Sequence, residues 1–92
     1  MIRSFACSDS EKVFNRERSR KFDAVARVAL RKLLMLDAAE RLDDLRCPPG
    51  NLLKALASSR RGQQSIRVNA QWRVVFVWRA DGPHDVAIVD YH

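Results

Sequence analysis

An α+β fold is the architecture this sequence predicts: a twisted antiparallel sheet of three to four strands with two to three helices packed against it. Three observations carry the prediction. From about Phe22 to Leu42 apolar residues recur at helical spacing with no Gly or Pro. Pro48-Pro49-Gly50-Asn51 then stops any helix. From Ser65 onward the apolar period falls to two, as strands require. A chain of 92 residues is enough for one modest core, so residues 1–92 are expected to form a single domain.

Residues 2–7 predict a short first strand. Ser8 with Glu11 three positions on has the form of a capping box and predicts a short helix through Val13 and Phe14. A charged patch, Asn15 to Lys21, leads into the long helix. There Phe22, Ala26, Ala29, Leu33 and Leu36 make an apolar stripe, widened by Val25, Leu30 and Leu34. That stripe marks a scaffold helix covering a sheet. Leu52, Leu53 and Leu56 predict a loop or helical turn on the core, and Ser58 to Gly62 a basic turn. Three strands follow: Ser65–Asn69, Trp72–Arg79 after a tight Ala70-Gln71 connection, and Val86–Tyr91 after the turn signal Asp81-Gly82-Pro83. In the middle strand Trp72, Val74, Phe76 and Trp78 share one face, and Arg73, Val75, Val77 and Arg79 the other. Bulky apolar residues on both faces mark a central strand.

No stretch is long enough for a transmembrane helix, and the N-terminus lacks a signal peptide's apolar core, so a cytoplasmic protein without membrane contact is expected. In that compartment Cys7 and Cys47 are expected to be free thiols. With His84 and His92 they show no metal-ligand spacing, and no metal or cofactor is expected. The net charge of +6 is concentrated: residues 54–79 hold Lys54, Arg60, Arg61, Arg67, Arg73 and Arg79 and no acid, while the remaining residues balance. Such a field favours polyanions, nucleic acid first, or serves solubility alone.

Arg67 and Arg73 stand on strands among apolar residues, which is costly unless each is paired or aimed at an anion, and the planar guanidinium fork suits phosphate. Lys54 lies on the segment leading into the sheet. Asp90, Tyr91 and His92 come at the end of the last strand. RNA cleavage needs a base for the ribose 2′-hydroxyl, cations for the phosphate and an acid for the leaving 5′-oxygen. His, Tyr, Lys and Arg supply these without metal, and Tyr91 could also stack on an unpaired base. Each residue also has a plainer role. Asp90 could orient its neighbours, Tyr91 close the sheet, His92 be an inert end, Arg73 pair with an aspartate, and His84 be a surface residue in the turn.

The segments PPGNLLKAL, RRGQQSIRVNAQWRVVFVW and VAIVDYH, with the opening MIRSF, resemble the HigB-type toxins (host-killing or plasmid-maintenance killer proteins) of the RelE/ParE superfamily. The resemblance covers essentially the whole chain. It implies a RelE-like microbial ribonuclease fold and ribosome-dependent endoribonuclease activity: mRNA is cut in the A site of the 70S ribosome by metal-independent attack of the 2′-hydroxyl, which halts translation. It also implies a helix-turn-helix antitoxin of the HigA type, through which alone operator DNA would be bound. On this resemblance Arg73 of QWR holds the scissile phosphate, and Asp90, Tyr91 and His92 form the terminal catalytic motif. The strand then ends in catalytic groups because substrate fills the space a tail would occupy. Lys54 stands where certain members carry histidine and is assigned to phosphate or ribosomal RNA contact. Arg67 stands where some members differ, and LASSRRG departs from the usual L-x-G-D/N-R-x-G beside the site. Two other functions stay open: a ParE-like non-catalytic gyrase inhibitor, which has no need of Arg73 with Tyr91 and His92, and a plain RNA-binding module, which would bind without cutting.

Overall fold

The computed structural model describes residues 1–90; Tyr91 and His92 lie outside the described residues. Two helices, α1 (Ser8–Phe14) and α2 (Ala26–Ala38), precede four strands, β1 (Lys54–Ala55), β2 (Gln64–Arg67), β3 (Trp72–Arg79) and β4 (Gly82–Asp90). Short 3-10 turns occupy Leu42–Arg46, Pro49–Asn51 and Ser58–Arg60. The strands form one antiparallel meander in the order β1-β2-β3-β4. The α+β architecture predicted from the change of period is the one observed.

The helices cover one face of the sheet. Val13 of α1 and Ala29, Leu33 and Leu36 of α2 pack on Ile66, Val74, Phe76, Val86 and Ile88. A smaller cluster, Leu56, Val75 and Ala87, lies apart from this core, flanked by Cys7 and Val89. Consecutive Val75 and Phe76 are 1% and 0% exposed, so β3 is buried on both faces at its centre, as its composition requires.

The helix predicted over 22–42 is shorter at both ends. Phe22 is fully buried but sits in tight turns ahead of α2, where its ring meets Trp72 edge-on at 5.3 Å. At the other end the Asp44 carboxylate accepts the backbone N–H groups of Glu40 and Arg41, both at 3.0 Å, and starts a separate 3-10 turn. These bonds hold the Asp44 carboxyl below the usual carboxylate range, as acceptance of backbone N–H bonds favours the charged form. Helix α1 has Cys7 rather than Ser8 at its N-cap, so the expected capping box does not form.

Residues 2–7 are not a strand. They make a single parallel bridge, Phe5 to Val86, along the outer side of β4. Arg3 and Ala6 donate to the Pro83 and Val86 carbonyls and Ser4 accepts from Val86, while the buried Ser10 hydroxyl accepts from Ile88 N at 2.9 Å. The edge of β4 is thereby covered, which removes a template for pairing with another chain. Asp85, at φ 52, forms a bulge that shifts the β3–β4 register between Val75 and Val77.

Strand boundaries also differ from expectation, with β2 at Gln64–Arg67 rather than Ser65–Asn69. Lys54 belongs to a strand, not to the loop ahead of the sheet. The last turn is Ala80-Asp81, with Gly82 already paired to Arg79, so β4 begins four residues earlier than predicted. Gly82 is required there: φ is +124°, and a Cβ would stand 2.8 Å from the Met1 carbonyl oxygen. His84 is consequently a half-buried strand residue rather than a turn residue, with Nε2 2.7 Å from Asp81. That hydrogen bond lowers the Asp81 carboxyl.

Candidate nucleic-acid interface

Period-two alternation sets which polar groups meet on the sheet. Arg67 and Arg73 are direct cross-strand partners on β2 and β3, and Ser65 pairs with Val75 on one side and with Lys54 on the other. Lys54, Ser65, Arg67 and Arg73 therefore share a face, the one opposite Ile66 and Val74. Like charges directly opposed across strands are unfavourable, and this arrangement repays itself when an anion lies between them.

Two contacts among the described residues hold Arg73. Its Nε donates to the buried Ser65 hydroxyl at 2.8 Å and Nη2 donates to the Leu52 carbonyl at 2.7 Å. Neither acceptor is an aspartate, so the internal Asp pairing considered for Arg73 is not among these contacts. The two anchors fix the plane of the guanidinium, which is what recognition of a tetrahedral anion requires. Leu52 is 56% exposed and sits at φ 47, a left-handed conformation costly for a leucine.

Asp90 is the partner of Trp72 across β3–β4, and its carboxylate accepts from the Gln71 amide at 3.0 Å. Asn69 orders the same corner: Oδ1 accepts the N–H groups of Gln71 and Trp72, both at 2.8 Å. This Asx turn holds the start of β3, and hence Arg73, close to the end of β4. Tyr91 and His92 follow in sequence and lie outside the described residues.

The other predicted cations stand apart. Arg79 is exposed at the far end of β3, six residues or about 20 Å from Arg73. Arg60 and Arg61 are exposed in the β1–β2 connection, where Arg60 bonds Gln63 at 3.3 Å. Only Lys54, Arg67 and Arg73 of the six basic residues in 54–79 share the neighbourhood of Ser65.

Three participants, Lys32, Asn51 and Ser65, are not among the site residues predicted above. Lys32, on α2, donates to Asn51 Oδ1 at 2.6 Å. Asn51 is fully buried, and its amide donates to the Leu45 carbonyl at 3.1 Å. Burial, together with the nearby charges of Arg31 and Arg67, lowers the Lys32 ammonium from its usual value. No sequence signal marks Lys32 or Asn51. Ser65 could have been found, because it lies two residues from Arg67 and so on the same strand face.

Both cysteines are free. Burial pushes the Cys7 thiol up, but the Ser10 hydroxyl, the Ser10 and Asp9 amides and Lys21 outweigh it and leave the thiol lowered. Among the described residues no group of three or more His, Cys, Asp or Glu could hold a metal ion, and no helix is long and apolar enough to cross a membrane. A cleft of about 300 Å³ lies between α1 and α2, lined by Val13, Arg16, Arg27 and Leu30 among others, away from Arg73.

Comparison with known proteins agrees with the resemblance read from the motifs. The family described as RelE-like toxin of type II toxin-antitoxin system HigB matches residues 3–92. Toxin HigB-1 of Vibrio cholerae is 46% identical over 55 residues, covering 60% of this chain and 58% of that protein. An uncharacterized protein of Haemophilus influenzae is 44% identical over 50 residues, covering 54% of this chain and 50% of that one. The chain thus spans about half the length of these relatives in the matched region. With the family's model matched over nearly the whole sequence and an α+β fold to fit it, the chain belongs to the HigB-like, RelE-like toxins of type II toxin-antitoxin systems.

Proposed function

We propose that this chain is a metal-independent endoribonuclease that cuts mRNA in the ribosomal A site and so inhibits translation. One observation supports the proposal most: Arg73 is clamped by Ser65 and Leu52 directly opposite Arg67, with Lys54 of the neighbouring β1 on the same face. A fixed guanidinium facing another cation is poised for a phosphate whose charge increases in the transition state.

In the proposed reaction the ribose 2′-oxygen attacks the adjacent phosphorus, the 2′-O–P bond forms and the P–O5′ bond breaks. The products are a 2′,3′-cyclic phosphate and a free 5′-hydroxyl. The 2′-hydroxyl proton leaves to a base, and His92, as its protonated imidazolium, delivers one to the departing 5′-oxygen. Arg73, aided by Arg67 and Lys54, neutralises the phosphoryl oxygens. Asp90 orients the terminal groups, and Tyr91 stacks on an unpaired base. Arg60, Arg61 and Arg79 extend the field towards RNA at longer range. The ribosome supplies much of the alignment, which explains how a small set of groups suffices. The partner that restrains the toxin is a HigA-type helix-turn-helix antitoxin, which alone contacts operator DNA, and the setting is the cytoplasm.

The test compares cells expressing the full chain and a variant ending at Tyr91, with mRNA 5′ ends mapped in both. New ends inside translated codons from the full chain, lost in an equally well-folded variant, support the proposal. Growth arrest with intact message in both would reject it and direct attention to gyrase.

A further inference from the structure

The dipeptide Asn51-Leu52 joins two cations that the chain keeps far apart. The Asn51 side chain holds the Lys32 ammonium at 2.6 Å, and the next carbonyl, Leu52, holds Arg73 at 2.7 Å. Arg67 stands opposite Arg73 and close enough to Lys32 for its charge to be felt there, as is that of Arg31. Among the described residues Arg31, Lys32 and Arg67 have no acidic partner: the ion pairs involve Arg3, Arg18, Arg46 and His84. Lys32 of α2 thus reaches, through Asn51, the same segment whose next carbonyl holds Arg73, bringing a half-buried ammonium close to the positive charge already gathered there. Bringing cations together without a counter-ion costs free energy, as does the left-handed Leu52 backbone that links them. A fold that keeps both has a use for the resulting field.

We propose that Lys32 and Arg31, with Arg67 shared between the two sites, form a second anion subsite that takes an RNA phosphodiester next to the one held by Arg73. The inference rests on the ribonuclease proposal and deepens it. Neighbouring strands are about 4.8 Å apart, so the Arg67 fork can reach both the phosphate on Arg73 and the next one along the strand. Lys32 contributes a compact point charge and the arginines contribute forks, a combination suited to the repeated, tetrahedral charges of a nucleic-acid backbone. The exposed Leu52 between the two subsites offers an apolar surface to a base or ribose. The phosphodiester can come from the message or from ribosomal RNA.

Two variants test this. Arg31→Gln/Arg67→Gln leaves the Asn51-Leu52 clasp intact, and Lys32→Gln retains a donor for Asn51; urea unfolding confirms that each folds. Binding is measured by fluorescence anisotropy to a short single-stranded RNA with 2′-O-methyl riboses, which cannot be cut, and by co-sedimentation with 70S ribosomes lacking message, each across a salt series. The double variant should flatten the log–log salt slope on the oligonucleotide by about 1.4 and Lys32→Gln by about 0.7, at about 0.7 per phosphate contact on a single strand. A smaller slope on the oligonucleotide assigns the subsite to the message, and one on ribosomes alone to ribosomal RNA. Unchanged slopes on both, or no salt-dependent binding by the wild type, overturn the subsite. Mapping mRNA ends with the same variants keeps the two proposals separate: an altered slope without any wild-type cleavage rejects the nuclease and leaves the subsite standing.

Discussion

Replacing Asn51 by alanine should cost this protein a large part of its stability, chiefly through the bonds to Leu45 and Lys32 that meet at one buried amide. Asn51 is fully buried, and its amide donates to the carbonyl of Leu45, itself 2% exposed. Truncation leaves that carbonyl without its donor, at about 1–3 kcal/mol for a buried unsatisfied group. The lost acceptor for Lys32 adds less, about 1 kcal/mol, because that ammonium is only half-buried and water can replace the bond. Together the two losses come to about 3 kcal/mol, against a total of roughly 5–15 kcal/mol for a natural domain. The expected fall in melting temperature is about 15 °C, at about 4–8 °C per kcal/mol for a domain of this size. Urea unfolding at constant slope gives the free energy directly, and a cycle with Lys32→Met should return a coupling of about 1 kcal/mol. A loss below about 0.5 kcal/mol, or additive single and double variants, would refute the clasp as an energetic unit.

Three other outcomes follow from contacts described above. Ser65→Ala frees the Arg73 Nε and should lower the cleavage of message by about 10- to 100-fold with little change in melting, as expected when a phosphate-holding group is misplaced; equal cleavage at equal expression would show that the Ser65 bond is not what positions Arg73. Arg67→Thr removes a like-charge pair and should raise stability by roughly 0.5 kcal/mol while weakening RNA binding; a destabilised variant would mean that Arg67 is held by structure rather than kept for an anion. Asp44 has a folded-state pKa below its unfolded value, so its contribution is complete above the ordinary carboxylate range and is lost as pH falls through the depressed value. The urea midpoint of Asp44→Asn should accordingly fall less between neutral and acid pH than that of the wild type, and parallel profiles would contradict the assignment.

The sequence by itself determined the parts of this protein that depend on local periodicity. Alternation in Trp72–Arg79 marked a strand buried on both faces, and its bounds agree with the structure because each strand residue's face is set by parity alone. Helical spacing found α2 and its buried Ala29, Leu33 and Leu36, but extended the helix over Phe22, whose burial comes from a turn that reaches Trp72. The same limit hid β1, since two residues carry no period, and hid the N-terminal bridge to β4, since its hydrogen bonds come from backbone groups that any sequence supplies. Opposition of Arg67 and Arg73 follows from the length of the hairpin between them and was nearly legible. The convergence of Lys32, Asn51 and Arg73 was not. It depends on how α2 packs across the sheet and on the left-handed Leu52, and tertiary packing fixes both, because no local pattern records which residues distant in the chain will share a hydrogen bond.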